Sequence, residues 1–489
     1  MRKSLFVVMS IALILSFSTL VMASGVGLTG IGARATALGG NYRGLSDDWS
    51  GMYWNPAGLT QVEGLQAGLS FETIMPGSDY TLTQNVPAFG VYKTTEFSNE
   101  PQTFYIPAAG LVYGTGKWAF GLSFYVPFGL GAKWDAMDTK VYNDAYPELD
   151  FEDDLKVINI QPTIAFKATE KLSIGVGLGL VSSNIIIRKP TTTPNPLLSA
   201  TDPNSVALKT KLLTPLGLAA STYNHILTET ELEGDGMGFS ASFGLQYKLT
   251  ECLTVGASGT WYNDISLDGK VTAATYYAKV NSQILTTLAT QLAGLGLPAA
   301  QQQQILGVYS GTKQVKYDKA KADAKLPLPM TVGAGFAYTG IENLLISGDV
   351  SWTQWSAWDV IGIEMKDGSK SDLVENWEDG IRLGLGMEYK LSNPLTLRAG
   401  YYTEPSAIPD ETLTITIPDI SRRHGINIGA TFNLGPVALH ASYETLLFGD
   451  RTVDKWQSNN NAAAPGYDNM AGTYKMSVNN IMLGLGYNF

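Results

Sequence analysis

Apolar and polar positions alternate along most of the chain. Ile381, Leu383, Leu385, Met387 and Tyr389 are apolar, and Arg382, Gly384, Gly386, Glu388 and Lys390 between them are polar or small. The same period-two pattern runs through Ile174–Leu180, Leu395–Tyr402 and Val437–Glu444. Alternation over eight or more residues specifies a strand whose two faces meet different surroundings. A soluble sandwich rarely needs many strands of that length, because an ordinary strand has about five or six residues. A membrane-spanning strand needs about 9–11, apolar outward and polar or small inward.

About fourteen such strands can be counted, beginning near Leu65, Thr103, Lys117, Leu155, Leu172, Gly236, Leu253, Pro329, Asn343, Asp379, Pro394, Arg423, Val437 and Ser477. The pattern predicts an all-β fold, a transmembrane antiparallel β-barrel over residues 65–489. Closure follows because lipid cannot satisfy an open sheet edge. The last strand alternates Ile481, Leu483, Leu485, Tyr487 and Phe489 with Met482, Gly484, Gly486 and Asn488, and ends on an aromatic. That ending resembles the signal by which barrel-assembly machinery recognises outer-membrane barrels. Trp352, Trp355 and Trp358, with Tyr401 and Tyr402, fall at strand ends, where aromatic rings favour the headgroup level.

Four segments depart from the alternation. Residues 1–23 carry Arg2 and Lys3, an apolar run from Leu5 to Leu20, and Val21-Met22-Ala23 before Ser24, the pattern of a cleaved export signal. Residues 24–64 are rich in Gly and turn residues and precede the first strand, so they are expected to fold in the lumen as a hatch. Two long loops, 189–235 and 278–317, interrupt the hairpins. The second reads as partly helical: Val280, Ile284, Leu288 and Leu292 recur at i+4, and Pro298 can open a second helix. Its apolar stripe either collects greasy molecules outside the cell or packs the loop onto the barrel rim.

Composition narrows the choice. Charged residues are 16%, against about 25% for an ordinary soluble domain. With 33 Lys+Arg against 44 Asp+Glu the net charge is −11, which argues against a nucleic-acid partner. Cys252 is the only cysteine, so a disulfide framework is excluded, and no His or Cys cluster has metal-ligand spacing. No metal or cofactor is expected. Gly25-Val26-Gly27-Leu28-Thr29-Gly30 matches a dinucleotide fingerprint, but no strand precedes it. His440 and Ser442 share a strand face, an arrangement that lumen-facing polarity explains more simply than hydrolase chemistry. The chain is read as a non-enzyme.

Four groups of residues carry a family resemblance. The first is Gly32-Ala33-Arg34-Ala35, Asp47-Asp48 and Asn55-Pro56-Ala57-Gly58-Leu59. The second is Leu326-Pro327 with Asp349 to Ser356. The third is Trp377 to Arg382, Leu397 to Tyr401, Pro405, Ile417-Pro418-Asp419 and Arg422-Arg423. The fourth is Phe489. Together they resemble the FadL/TodX (OmpP1) family of outer-membrane transporters of long-chain fatty acids and hydrocarbons. The resemblance implies a fourteen-stranded barrel in the outer membrane of a Gram-negative bacterium, with a hatch whose motif includes Asp47, Asp48, Asn55, Pro56, Ala57 and Gly58.

It also implies passive uptake through a lateral gap made by a kink in the third strand, here Pro127, Phe128, Gly129 and Gly131. An ordinary Pro-Gly strand end is the other reading of those residues. Arg188 falls where the family carries an arginine implicated in carboxylate binding, and it can equally be an interfacial arginine at the rim. Phe128 is its expected companion at the ligand. The family's second, lysine, ligand falls near Leu373 or Gly362, and neither is a cation. Expected partners are a long-chain fatty acid or another hydrophobic molecule, such as an aromatic hydrocarbon, and outer-membrane lipid. Such cargo needs help because sugar coats the outer leaflet and slows partitioning. Each buried methylene returns about 0.8 kcal/mol to an apolar site.

Overall fold

The structure, a computed structural model, describes residues 25–83, 92–138, 142, 146–417, 419–457 and 469–489. The export segment 1–23 and Pro418 lie outside them. The barrel strands, numbered in chain order, are β1 (Glu63–Leu82), β2 (Phe104–Thr115), β3 (Trp118–Trp134), β4 (Phe151–Lys167), β5 (Leu172–Pro194), β6 (His225–Thr250), β7 (Leu253–Tyr262), β8 (Thr331–Ile341), β9 (Leu344–Thr353), β10 (Gly380–Lys390), β11 (Leu395–Glu404), β12 (Arg423–Leu434), β13 (Val437–Phe448) and β14 (Gly472–Asn488). Each pairs antiparallel with the next. β14 pairs back onto β1 from Gln66↔Asn488 to Leu82↔Gly472. The ring is closed and fourteen-stranded, as the alternation predicts.

The outward positions are apolar and uncovered: Leu178, Phe239 and Leu483 are 64%, 65% and 59% exposed. Lipid, not water, satisfies such a face. No helix among the described residues is long and apolar enough to cross a membrane. Exposed aromatics ring both ends of the band. Tyr113, Trp118, Tyr247 and Tyr389 mark the short-turn end, and Tyr105, Trp261 and Tyr401 the other. Trp355 and Trp358 do not join them. The chain leaves β9 at Thr353, turns through a 3-10 segment (Trp355–Ala357), and buries both rings against Trp377, at 5.6 Å and 4.5 Å. Tyr402 is likewise buried inside, with the Arg382 guanidinium 3.6 Å from its ring.

β5 and β6 have 23 and 26 residues, far more than the roughly 9–11 a crossing needs. Their far halves rise beyond the apolar band. Four accessory strands extend the sheet there: Ile265–Tyr276, Lys313–Leu326, Val360–Met365 and Lys370–Val374. The loop expected over 189–235 therefore shrinks to 195–224, and Lys313–Tyr317 is strand instead of helical loop. The helical reading holds for Ser282–Gly294 and Ala299–Gly307. Leu288 and Leu292 of that stripe are fully buried against Leu212, Leu213 and Leu218 of the other loop. The stripe packs the two loops into one extracellular cap.

Residues 25–62 hydrogen-bond inward-facing groups around the whole ring, among them Gln66, Gln161, Gln246, Ser258, Asp349 and Arg382. A segment with partners on β1, β4, β6, β7, β9 and β10 lies inside the cylinder. The inner wall is small where it approaches. A Cβ on Gly256 would stand 2.0 Å from the Arg43 carbonyl oxygen, so only glycine permits that contact.

Candidate functional site

Three features meet at the extracellular half of the lumen: the lumen segment, a break in the wall, and a chain of apolar cavities between them.

The lumen segment is held by charge and by caps. Arg34 reaches Asp47 at 2.6 Å and Glu388 of β10 at 3.1 Å, and Arg398 of β11 reaches Glu388 at 2.6 Å. Tyr42 lies within hydrogen-bonding distance of Asp47 and Asp48, at 3.0 and 2.9 Å, and Asp48 accepts from the Ser50 backbone and hydroxyl. A second pair joins Arg43 to Asp349 of β9 at 3.1 Å. Asn55 donates to the carbonyls of Arg43 and Leu245, and its Oδ1 accepts from the Ala57 N–H, capping the 3-10 turn Pro56–Gln61. Pro56 opens that turn, where a missing N–H costs nothing. Gly58 lies so close to Ser46 that a Cβ would stand 2.3 Å from its carbonyl oxygen. The six residues of the expected hatch motif thus act as ion-pair, cap and close-approach positions.

The wall breaks at β3. Tyr125 pairs with Asn159 and Phe128 with Val157, so β3 carries one more residue than β4 across this stretch. The irregularity falls at Val126-Pro127. Gly129 and Gly131 beyond it pair regularly with Lys156 and Asp154, and β3 continues to Trp134, so this is no strand end. On its other edge, β3 pairs with β2 only as far as Phe124↔Ala109, although β2 extends back to Phe104. Beyond that point the two strands part. The lumen segment lines the freed edge: Leu28 N–H donates to the Pro127 carbonyl at 3.2 Å and Gly129 N–H to Val26 at 3.1 Å. Phe128 turns inward and packs edge-on against Tyr262 at 5.3 Å and Trp355 at 6.2 Å.

Beside the gap is a cavity of 150 Å³ lined by Ile74, Phe104, Ile106, Val126, Leu130 and Phe448. At the extracellular end a cavity of 220 Å³ is bounded by Phe151, Ile187, Arg188, Leu232, Leu373 and Met470. A smaller space of 40 Å³ lies between them and shares wall residues with each. Ile187 and Leu373 line it together with the outer cavity, and Leu130 and Leu155 line it together with the one at the gap. Phe128 lines none of these three and borders instead a space of 90 Å³ with Tyr53, Trp54 and Tyr262, so Phe128 and Arg188 lie apart.

Arg188 is already engaged. It contacts Glu152 at 2.7 Å, Glu229 at 3.1 Å and Glu231, and Lys133 reaches Glu152 at 2.8 Å. The cluster carries more negative than positive charge. Burial pushes the Glu229 carboxyl up to about 7, and Arg188 pulls it back in the opposite sense. The sequence reading missed these carboxylates and the cavity residues Leu130, Leu155 and Trp377. The only available signal was the alternation Glu229, Glu231, Glu233 on β6. His440 hydrogen-bonds Thr431 at 2.6 Å inside the barrel. Among the described residues no cluster of His, Cys, Asp or Glu could hold a metal ion.

A closed barrel with an apolar exterior and an occupied lumen defines an outer-membrane β-barrel protein. The family is equally definite. Residues 14–489 match the outer membrane protein transport family (OMPP1/FadL/TodX), and the chain belongs to it. It is 22% identical to a long-chain fatty acid transport protein of Escherichia coli over 463 residues, 90% of this chain and 92% of that one. It is 26% identical to a 47 kDa outer membrane protein of Pasteurella multocida over 243 residues, 49% of this chain and 50% of the relative. That match thus spans only half the relative's length. Among solved structures, a Pseudomonas aeruginosa FadL homologue superposes with a TM-score of 0.69 at 16% identity, over 95% of this chain and 100% of that one. The Pseudomonas putida toluene transporter TodX superposes with a TM-score of 0.64 at 17% identity, over 94% and 99%. The protein resides in the outer membrane.

Proposed function

We propose that this protein takes up hydrophobic small molecules passively. Cargo enters the cavity at Arg188, slides past Ile187, Leu373, Leu130 and Leu155, and leaves sideways between β2 and β3. The lumen segment acts as a hatch that closes the axial route. One observation carries this reading: apolar cavities with shared walls lead from the extracellular end to the break in the wall. Burying ten methylenes along such a route is worth about 8 kcal/mol before ordering costs. Phe489, exposed and edge-on to Tyr487 at 4.6 Å, supports its use by assembly machinery.

The apolar chain of the cargo is what the site recognises, and the charge at its mouth favours an uncharged hydrocarbon. A carboxylate must compete with Glu152, Glu229 and Glu231 for Arg188. Long-chain fatty acid, the cargo printed in the name of the Escherichia coli relative, is the second reading, favoured by the guanidinium itself.

The two separate by pH. Glu229 lies above the apolar band, and its folded value of about 7 exceeds the ordinary 4.5. It is therefore charged above pH 7 and takes up a proton below. Protonation removes one of the three carboxylates that compete with a bound anion for Arg188. Binding of a fluorescent long-chain fatty acid to purified protein is expected to strengthen severalfold from pH 8 to pH 6, and binding of a neutral alkane probe to stay constant. Glu229→Gln should bring the pH 6 affinity to pH 8. A flat fatty-acid profile, with no response to that substitution, contradicts a carboxylate site at Arg188.

A further inference from the structure

The outward face of β6 changes character just above the lipid band. Phe239 and Met237 are exposed and apolar, and the next outward positions are Asp235 and Glu233. Strand register sets these residues in rows across the accessory strands. One row aligns Asp235, Asp268, Asp323 and Glu364. The row above it aligns Glu233, Lys270 and Lys321, with Lys366 alongside, its N–H donating to the Lys321 carbonyl at 3.2 Å. Lys325 stands two rows nearer the band, level with Met237. All of these side chains are exposed.

Two observations need an external partner. Lys270 and Lys321 are direct cross-strand neighbours, and like charges so placed repel. Among the described residues, none of Lys270, Lys321, Lys325 and Lys366 forms an ion pair with a carboxylate, although carboxylates sit two positions away on the same strands. An anion lying between the ammonium groups answers both. Height identifies its source. Two residues advance a strand by about 7 Å, and tilt of about 45° reduces that to about 5 Å of height per row. Lys270 and Lys321 lie two rows above Met237, about 10 Å beyond the last apolar residue, and Lys325 lies level with it, so the group spans the depth of the lipid headgroups.

We propose that this face binds the phosphorylated sugar headgroup of an outer-leaflet glycolipid, with Lys270 and Lys321 clamping one phosphate. Lys325 and Lys366 flank it. The carboxylate row keeps the patch selective for a headgroup that brings its own cations. The bound lipid fixes the depth of the barrel and tethers the accessory strands that wall the Arg188 cavity.

Native mass spectrometry of the detergent-purified full chain reads this directly, with bisphosphorylated lipid A as the probe. Each lysine is expected to contribute about fivefold. K270S/K321S/K366S should therefore retain the lipid about a hundredfold less well, and Lys171→Ser, in a turn at the opposite end, should retain it as the parent does. Millimolar inorganic phosphate should not displace the lipid, and dephosphorylated lipid A should bind no better to the parent than to the triple variant. Equal retention by the triple variant, or equal binding of the dephosphorylated lipid, overturns the proposal. Displacement by free phosphate overturns the lipid as the source. Should the triple variant fail to assemble, Lys321→Gln alone is expected to lose about fivefold, and an unchanged value refutes the clamp.

Discussion

Deleting Pro127 is expected to abolish uptake of hydrophobic cargo while leaving an assembled barrel. β3 advances three residues from Tyr125 to Phe128 while β4 advances two, from Asn159 to Val157. Removing one residue equalises the strands. It also removes the one position there without an N–H. Phe128 keeps its inward direction, because the surplus residue is what breaks the alternation. The freed edge of β3 can then continue its ladder along Ala108 to Phe104 of β2, displacing Val26 to Leu28. Uptake of radiolabelled alkane and fatty acid by cells lacking the native protein should fall at least tenfold. Heat-modifiable migration of the folded barrel should be unchanged. Normal uptake through an assembled deletion variant would place the exit along the barrel axis.

Replacing Arg34 by alanine is expected to loosen the lumen segment by about 3 kcal/mol, roughly a hundredfold in local opening. Arg34 links Asp47 and Tyr42 of that segment to Glu388 of the wall. Without it, Asp47 loses its only cation and keeps just the Tyr42 hydroxyl, and Glu388 keeps Arg398 alone. Removing one member of a buried cluster costs more than the pair contributes, because the remaining charges stay in place. Hydrogen exchange over residues 42–58 should accelerate by about that factor, with barrel strands unaffected. Adding Asp47→Asn should recover part of the loss. Unchanged exchange would mean that packing of Trp49, Met52 and Trp54 alone holds the segment.

The fourteen spanning strands were legible because lipid imposes apolar residues on every second position and the crowded lumen imposes small ones between. Beyond the membrane that constraint lapses. Glu233 and Asp235 are polar on the outward face and read as loop, yet they lie in strand, because water surrounds them there. Trp355 and Trp358 looked like interfacial rings because alternation cannot show that the chain leaves β9 and turns inward. The wall break was legible only to within a residue: Tyr125, Val126, Pro127 and Phe128 are all apolar or ring-bearing, so the surplus position carries no mark. The partners of Arg188 stand 36 and 43 residues away in sequence, on neighbouring strands. Only register brings them together, and with them the charge balance that bears on the cargo.

Photolabelling tests the lateral route most directly. A long alkane carrying a diazirine, irradiated with the protein in liposomes and mapped by peptide mass spectrometry, should modify Phe104, Ile106, Val126 and Leu130 at the gap, together with Leu155 behind it. Labels confined to Trp49 and Met52, on the short-turn side of the lumen segment, would show that cargo travels down the barrel axis and would contradict the sideways exit.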